Sequence, residues 1–354
     1  MSRFLRARLQ PIAAYVPGEQ PKVTNNLIKL NTNESPYPPS PKVIEAMESS
    51  SIESLRLYSD LAAKALIGAL AEDLSVSSDM IAVGNGSDEV IYFAMMAFGE
   101  SGARFADITY GFYKVWAGLL DMPTDIAPLK DDFSIDVSDY AKNDRMILIA
   151  NPNAPTGIAL PLSDIEAVLK ANPGQVVLID EAYVDFGAQS ALSLIDQYEN
   201  LLIARTFSKS RQMAGARLGF LIGQSALIAD VEKIRYSINP YNVNSLTQRL
   251  GAASVRDCEY FTWACNEIIN TREWTAQQLE KLGFAVLPSK ANFLFAKGES
   301  IPGGEYMNAL REQEIIVRHF EQPRISDYVR ITIGTMAQME RLIKVTKAII
   351  GGEV

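Results

Sequence analysis

Between residues 80 and 204, four short apolar runs are separated by longer stretches with helical spacing. They are Met80–Val83, Met146–Ala150, Val176–Ile179 and Leu201–Ala204. Runs that are apolar at successive positions are typical of strands buried on both faces, and the helical stretches between them predict crossover connections. The pattern therefore predicts an α/β fold, with a mostly parallel central sheet and helices on both of its faces.

Each apolar run is followed by small, polar or turn-forming residues. The four segments are Gly84–Glu89, Asn151–Gly157, Asp180–Tyr183 and Arg205–Lys209. In open α/β sheets, ligands bind beyond the carboxyl ends of the strands. We therefore expect the four segments to converge on a single binding crevice.

The rest of the chain follows other patterns. Residues 35–41 form a proline-rich stretch that can be neither a helix nor a central strand. Beyond about residue 240 a helical pattern runs to Leu282, and strand-like segments follow at Phe284–Leu287, Asn292–Phe295 and Tyr328–Gly334. These changes predict an N-terminal arm and linker over residues 1–45, part of which packs with the small domain. A large domain over residues 46–270 and a smaller α+β domain over 271–354 complete the prediction.

Composition excludes several classes of partner and of metal site. The chain has 354 residues, enough for two domains, and its 42 acidic against 33 basic residues give a net charge of -9, which argues against a nucleic-acid partner. Cys258 and Cys265 are too few for a disulfide framework, and with His319 as the one histidine, multi-histidine metal sites are excluded. Met1–Gln10 lacks the apolar core of a signal peptide, and no stretch is apolar for long enough to span a bilayer. We expect a cytoplasmic protein without a membrane partner.

Lys209 lies in a loop of small residues at a predicted strand end, where its amine could form an imine with a carbonyl cofactor. Taken alone, a surface lysine is the more common alternative. The neighbouring residues favour the first interpretation, because Thr206 and Ser208 supply hydroxyls and Arg217 follows a turn that contains Gly215. Hydroxyls and a guanidinium are groups that recognise a phosphate monoester.

Two further segments could hold parts of the same ligand. Gly86-Ser87-Asp88 opens a helical pattern, and a helix N-terminus favours an anion; a tight turn capped by Ser87 or Asp88 is a compatible alternative. Asp180 ends a buried run, where a carboxylate needs a cation such as a protonated pyridine nitrogen. The alternative for Asp180 is a helix cap or a structural ion pair. Tyr183 could bond a phenolic oxygen on the same ring.

Together, several motifs resemble the fold-type-I aminotransferases, which use pyridoxal 5′-phosphate. They are Thr206-Phe207-Ser208-Lys209 followed by Arg217, Asp180-Glu181-Ala182-Tyr183, and the Asn-Pro-Asn-x-Pro-Thr-Gly loop at 151–157. More narrowly, segments 30–36, 84–89, 109–113, 317–318 and 329–334 are similar to the histidinol-phosphate aminotransferase family. The match runs in order from about Tyr15 to Gly334 and so covers nearly the whole chain.

The resemblance implies a role for each matching residue near the cofactor. Lys209 would carry the cofactor and act as the general base, Asp180 would pair with the pyridinium, and Tyr183 would contact the phenolic oxygen. Tyr110 would stack on the ring. The cofactor's phosphate would be held by Gly86, Ser87, Asp88, Thr206, Ser208 and Arg217.

Other matching residues are implied to contact the substrate or a second subunit. Tyr58 would reach into the neighbouring subunit's site, which implies a homodimer. Arg330 would clamp the carboxylate of glutamate, and it would share the phosphate of histidinol phosphate with Arg318 and Tyr15.

Two positions depart from the family's pattern. Ala154 stands where the family usually has the asparagine that bonds the ring oxygen, so either Asn153 takes over this contact or Tyr183 acts alone. Asp107-Ile108-Thr109 lacks the usual proline before the threonine, and we expect only a small local change there.

The resemblance implies ping-pong transamination of histidinol phosphate with 2-oxoglutarate, giving imidazole-acetol phosphate and glutamate, as a step of histidine biosynthesis. An aromatic aminotransferase and a decarboxylase of a phosphorylated amino acid remain alternatives, because one arginine pair can bind a carboxylate or a phosphate. A regulatory domain that senses the cofactor is disfavoured, since the chain is acidic and begins almost at once with its arm.

Overall fold

The computed structural model of the protein describes residues 4–10, 12, 19–21 and 26–351. Within them the strands are β1 (Ile28–Lys29), β2 (Ile81–Gly84), β3 (Ala103–Ala106), β4 (Thr124–Ala127), β5 (Met146–Ala150), β6 (Val177–Asp180), β7 (Leu201–Thr206), β8 (Gly219–Gly223), β9 (Phe284–Val286), β10 (Phe293–Gly298), β11 (Ile315–Ile316), β12 (Arg318–His319) and β13 (Tyr328–Thr332). The α-helices are α1 (Pro41–Glu48), α2 (Lys64–Leu74), α3 (Ser87–Phe98), α4 (Phe112–Leu119), α5 (Leu162–Ala171), α6 (Ser225–Ile238), α7 (Ser245–Val255), α8 (Cys258–Lys281), α9 (Gly303–Glu312) and α10 (Met336–Gly351). Short 3-10 helices lie at Ala7–Leu9, Ile52–Arg56, Ser78–Met80, Val137–Tyr140, Val184–Phe186, Ala191–Leu194 and Ala214–Ala216.

The central sheet is mixed and mostly parallel. Its strand order is β2-β8-β7-β6-β5-β3-β4, and β8 runs antiparallel to both of its neighbours whereas the other neighbouring pairs are parallel. The four predicted apolar runs form β2, β5, β6 and β7, so the predicted α/β architecture is confirmed. Three strands of this sheet were not predicted: β3 is interrupted by Arg104, β4 exposes Ile126, and β8 is bounded by two glycines.

Helices cover both faces of this sheet because successive strand residues point to opposite sides. In β5, Ile147 and Ile149 pack in one core with α1, α2, α5 and α7, whereas Met146 and Leu148 pack in another with α3, α4 and α6. Burial on both faces explains why the central strands are apolar at nearly every position. It leaves the strand ends as the places where polar side chains meet.

A smaller unit follows the sheet along the chain. The antiparallel strands β12-β13-β10-β9 form its sheet, and α8, α9 and α10 pack in a third apolar core with Leu294 and Ile331. The N-terminal arm joins this unit, because Ile28 pairs in parallel with Ile315 and Leu30 lies in the same core. The predicted division after residue 270 stays a prediction, and it falls inside the continuous helix α8.

The single helical pattern predicted from about residue 240 to Leu282 was wrong in one respect. The structure has two helices there, α7 and α8, because Asp257 leaves the helical conformation with φ −103° and ψ 63°. Among the described residues, no helix combines the length and the apolar character needed to cross a bilayer.

Candidate active site

A pocket lies at the carboxyl ends of β2, β5, β6 and β7, where the four polar segments were expected to converge. Nine of the predicted site residues line it: Ser87, Asp88, Tyr110, Asp180, Tyr183, Thr206, Ser208, Lys209 and Arg217. The position follows from the topology, since parallel strands end on the same edge of the sheet.

Asp180 lies at the end of β6 with only 5% of its surface exposed. Its Oδ2 accepts a hydrogen bond from the Tyr113 hydroxyl at 2.7 Å, and its Oδ1 accepts one from the Ala182 N–H at 3.1 Å. Burial, the largest cause, raises the pKa of Asp180 to about 6, although both hydrogen bonds lower it. A buried carboxylate of this kind is stabilised when a cation is placed beside it.

The adjacent carboxylate, Glu181, has a different role. Its side chain is fully buried and forms an ion pair with Arg205 at 2.9 Å, and it also accepts a hydrogen bond from the Ala191 N–H. Burial raises its pKa, and Arg205 opposes that shift. Glu181 does not line the pocket, because neighbouring strand residues point to opposite faces.

The N-terminus of α3 forms one end of the pocket. Gly86 precedes the helix with φ +94°, and a Cβ added there would lie 2.6 Å from Arg217 Nη2. A Cβ on Gly219 would lie 2.5 Å from the Gly86 carbonyl carbon, so both glycines are required for this close packing. The free N–H groups of the first helical turn and the Arg217 guanidinium thus face the same space.

Asp88 holds two of the pocket's side chains. Its Oδ2 pairs with Arg217 Nη2 at 3.1 Å, and its Oδ1 accepts a hydrogen bond from the Tyr110 hydroxyl at 2.8 Å. Its carboxylate would repel a phosphate, so these contacts indicate that Asp88 orients Arg217 and Tyr110. A direct contact to an anion would come from its backbone N–H.

Lys209 lies between this pocket and a second one. The second pocket is lined in part by Thr32, Phe320, Arg318 and Arg330, and it shares Tyr110, Ala154, Tyr183 and Lys209 with the first. Lys209 Nζ lies 3.4 Å from the Thr32 carbonyl oxygen and 5.8 Å from the centre of the Tyr183 ring. Its amine is therefore placed to reach ligands in both pockets.

Two of the predicted substrate-binding residues face each other in the second pocket. Arg318 and Arg330 are directly opposite in the β12–β13 pair, and their guanidinium carbons lie 5.5 and 5.6 Å from the centre of the Phe320 ring. Like charges at opposed strand positions repel each other. Of the described residues that line this pocket, none is acidic, so an anionic ligand would relieve the repulsion.

The alternative that Asn153 replaces the missing contact at Ala154 is not supported by the structure. Asn153 Oδ1 accepts a hydrogen bond from the Thr109 hydroxyl at 2.8 Å, and its Nδ2 donates to the Ile108 carbonyl oxygen at 2.9 Å. Its amide therefore holds the loop that carries Tyr110. Ala154 itself lines the pocket, while Asn153 does not.

One predicted residue, Tyr58, lies elsewhere. Tyr58 is 82% exposed and stacks on Tyr241 with ring centres 4.3 Å apart, outside this chain's own pocket. Tyr15 lies outside the described residues.

Tyr113 and Asn33 are site residues that were not predicted from the sequence. Tyr113 holds Asp180, and Asn33 Nδ2 donates to the Tyr183 hydroxyl at 3.0 Å. Both lie in segments that carried the family resemblance, so the motifs contained a signal. Their contacts could not be predicted, because each joins residues far apart in the chain.

The donor set fits pyridoxal 5′-phosphate. Asp180 offers a buried anion to a protonated ring nitrogen, while Arg217, the hydroxyls of Thr206 and Ser208, and the α3 N-terminus suit a phosphate dianion. The glycines at 86 and 219 let Arg217 and β8 approach the α3 N-terminus closely, because an added Cβ would overlap Arg217 or the backbone of Ser87. Lys209 supplies the amine that an aldehyde requires.

The chain is similar to known proteins over nearly its whole length. The family model for class I and II aminotransferases matches residues 25–345. A histidinol-phosphate aminotransferase from Acinetobacter baumannii (strain AB307-0294) is 48% identical over 350 residues, which is 98% of this chain and 97% of that protein.

Solved structures show the same fold. The histidinol-phosphate aminotransferase from Clostridium acetobutylicum superposes with a TM-score of 0.85 at 23% identity, covering 92% of this chain and 100% of that one. The histidinol-phosphate aminotransferase from Sinorhizobium meliloti, solved in complex with pyridoxal-5′-phosphate, superposes with a TM-score of 0.82 at 24% identity and covers 92% of each chain.

Proposed function

This chain belongs to the class I and II aminotransferases, within the histidinol-phosphate aminotransferase family, and from that membership we propose how its residues carry out the reaction. It is an aminotransferase and uses pyridoxal 5′-phosphate, as the family does. We propose that it transfers the amino group of histidinol phosphate to 2-oxoglutarate, giving imidazole-acetol phosphate and glutamate.

One observation carries this proposal: Lys209 lies on the wall that a cofactor pocket shares with an arginine-lined pocket. The first pocket offers Asp180 and Arg217 to the two ends of a pyridoxal phosphate molecule. The second offers Arg318 and Arg330 to an anionic substrate. The Lys209 amine lies between the two pockets and can therefore act on the cofactor and on the substrate.

Each residue has a defined task in the mechanism. The bound cofactor supplies an electron sink that stabilises negative charge on the substrate's α-carbon. Asp180 would keep the proton on the ring nitrogen, and Tyr183 would donate a hydrogen bond to the phenolic oxygen. Lys209 Nζ would act as the general base that takes the proton from the α-carbon. Because amino donor and acceptor use the site in turn, the kinetics are ping-pong.

The arginine pair supports substrates that carry anionic groups. Arg330 binds the carboxylate of glutamate, and the phosphate of histidinol phosphate binds to Arg330 together with Arg318. Arg318→Gln should therefore raise KM for histidinol phosphate by roughly tenfold or more while changing KM for glutamate less, since one charge-assisted bond is lost only with the phosphate. Arg330→Gln should raise KM for both substrates. Equal effects of Arg318→Gln on both substrates would contradict this assignment.

Specificity constants distinguish this reaction from its alternatives. We expect the specificity constant for histidinol phosphate to exceed that for phenylalanine. The carboxylate of phenylalanine binds to Arg330 and leaves the Arg318 guanidinium without an anionic group of the substrate. A higher value for phenylalanine would identify an aromatic aminotransferase. Release of carbon dioxide from O-phosphothreonine would identify a decarboxylase.

The exposed apolar residues around Tyr58 support a homodimer. Ile52 is 84% exposed and Leu57 is 59% exposed, next to Tyr58 at 82%. Apolar side chains clustered on a surface mark an interface, and a second copy of the chain would bury them. Tyr58 would then contact the cofactor phosphate in the partner's pocket. Histidinol phosphate and imidazole-acetol phosphate carry a phosphate and cross no membrane unaided, so we propose that the protein acts in the cytoplasm.

A further inference from the structure

Asn33 is a buried residue of the N-terminal arm that lines the second pocket and contacts Tyr183, which the two pockets share. It is 1% exposed and has φ +55°, a left-handed conformation that asparagine adopts more readily than most residues. Its N–H donates to Thr332 Oγ1 at 3.0 Å, and its carbonyl oxygen accepts from Asn292 Nδ2 at 3.0 Å. The backbone of Asn33 is thus fixed to the small unit on both sides.

The side-chain amide of Asn33 has a defined orientation. Its Oδ1 lies 3.1 Å from Thr332 Oγ1, and its Nδ2 lies 3.0 Å from the Tyr183 hydroxyl oxygen. Thr332 Oγ1 already accepts the Asn33 N–H, so its own proton is available to Asn33 Oδ1. The reverse orientation would direct two N–H donors at this hydroxyl and leave its proton without that acceptor. Nδ2 therefore faces Tyr183.

The ring of Tyr183 is held in place by packing. The direction in which its hydroxyl proton points can still change. Phe293 meets the ring edge to face at a centroid distance of 5.1 Å, and Ala154 and Ala291 pack in the same cluster. Ala154 and Ala182 line the pocket beside Tyr183 with methyl groups only. A donor to a ring oxygen on this side is therefore the Tyr183 hydroxyl.

We propose that Asn33 is a positioning residue that makes Tyr183 a hydrogen-bond donor to the cofactor. Because the tyrosine oxygen accepts the Asn33 Nδ2 proton, its own proton turns away from Asn33 and into the pocket. The proposal rests on the proposed function, since it requires the phenolic oxygen of pyridoxal phosphate to lie beside Tyr183. It gives residue 33 a role in the electronics of the cofactor, although Asn33 does not touch it.

The role has a measurable consequence. A donor to the phenolic oxygen stabilises negative charge there, which favours the form of the Lys209–cofactor linkage that has lost its proton. The donor therefore lowers the pKa of that linkage, and the visible absorbance of the holoenzyme reports this pKa. Removing the donor raises it.

The experiment compares four holoenzymes by pH titration of visible absorbance: wild type, Asn33→Asp, Tyr183→Phe and the double variant. Asn33→Asp is nearly isosteric, but its carboxylate accepts the tyrosine proton and withdraws it from the pocket. We expect Asn33→Asp and Tyr183→Phe each to raise the midpoint by about one pH unit. Adding Asn33→Asp to Tyr183→Phe should then change little.

The double variant separates positioning from simple charge repulsion. A shift caused only by the new negative charge would persist when Tyr183 is phenylalanine, and that result would overturn the proposal. Asn33→Gly keeps the left-handed backbone and removes the amide. We expect its titration midpoint to lie between those of wild type and Asn33→Asp. If Tyr183→Phe shifts the midpoint and neither Asn33 variant does, only the role of Asn33 is wrong. If no variant or wild-type protein develops a visible band with the cofactor, the proposed function is wrong.

Discussion

At the scale of single residues, the buried carboxylate of Asp180 lowers the stability of the cofactor-free protein at neutral pH. Burial raises its pKa from 3.8 to about 6, so the folded cofactor-free protein binds this proton more tightly than the unfolded chain does. The resulting stability is complete below the unfolded pKa and is lost as the pH rises through about 6. Two pKa units correspond to about 3 kcal/mol of unfolding free energy at neutral pH.

Asp180→Asn should therefore stabilise the cofactor-free protein at pH 7 to 8. The amide can satisfy the same neighbours, because its oxygen can accept the Ala182 N–H and its nitrogen can donate to the Tyr113 oxygen. Urea unfolding of both proteins from pH 4 to 8 should show a difference that grows through about pH 6 and vanishes near pH 4. A difference that is constant with pH would contradict the account. Transaminase activity of the same variant should be largely lost.

Tyr113→Phe removes the hydroxyl that supports the Asp180 carboxylate. Its loss should raise the pKa of Asp180 further and weaken cofactor binding by roughly ten- to a hundredfold, the effect of one hydrogen bond to a charged group. Titration of the cofactor-free protein with pyridoxal phosphate measures this change.

Tyr140→Phe is the matched control, because Tyr140 is equally buried and its hydroxyl oxygen has no hydrogen-bond partner among the described residues. It should leave cofactor affinity unchanged. Similar losses in the two variants would show that the effect comes from packing and not from Asp180.

Side chains at strand ends were predictable from the sequence, and side-chain orientations were not. Lys209, Asp180 and Arg217 follow apolar runs or a glycine turn, so their convergence follows from a parallel sheet. Asn153 was one of two alternatives for the ring contact, and in the structure its amide turns towards Thr109. That direction depends on a loop that lies far away in the sequence.

At the scale of elements, the start of α3 depends on β8. The two meet at Gly86 and Gly219, and β8 is the antiparallel strand that the sequence did not reveal. Its apolar stretch is short, and its position between β2 and β7 depends on pairing with distant strands. Periodicity along one segment cannot give such pairing.

Gly219→Ala tests this contact. The added Cβ would overlap backbone atoms of Gly86 and Ser87, which cannot move as a flexible side chain would, so the helix N-terminus must shift. We expect at least roughly tenfold weaker binding of pyridoxal phosphate, since anion binding there needs aligned N–H groups.

Gly68→Ala provides the comparison, because no atom lies near the added Cβ in the exposed face of α2. It should bind the cofactor normally and gain about 0.5–1 kcal/mol of stability. Normal cofactor affinity in Gly219→Ala would refute the proposed role of the α3 N-terminus.

At the scale of the whole molecule, the second pocket is built from the large sheet, the arm and the small unit together. Arg330 Nη2 donates to the Asn31 carbonyl oxygen at 3.0 Å, and the arm in turn reaches Lys209 and Tyr183. The mostly parallel fold was predictable from apolar runs. The contact between the arm and the small unit was only partly predictable, because a two-residue strand such as β1 leaves almost no hydrophobic pattern in the sequence.

A mixture of two inactive subunits tests whether Tyr58 acts across a dimer interface. Lys209→Ala and Tyr58→Ala proteins, unfolded together and refolded, should regain activity, because the mixed dimer contains one site with both residues intact. Random pairing predicts about a quarter of wild-type activity if Tyr58→Ala is otherwise inactive. No recovery above the separate proteins, with dimers present, would place Tyr58 outside the partner's site.

The most direct test of the account is the identity of the residue that bonds the cofactor. Reduction of the holoenzyme with borohydride fixes the cofactor on its lysine, and trypsin then releases the peptide, which mass spectrometry can sequence. We predict that the cofactor is on Lys209, within a peptide of residues 206–211 in which trypsin has not cut after the modified lysine. Labelling of another lysine, or equal labelling of Lys209→Ala, would contradict it.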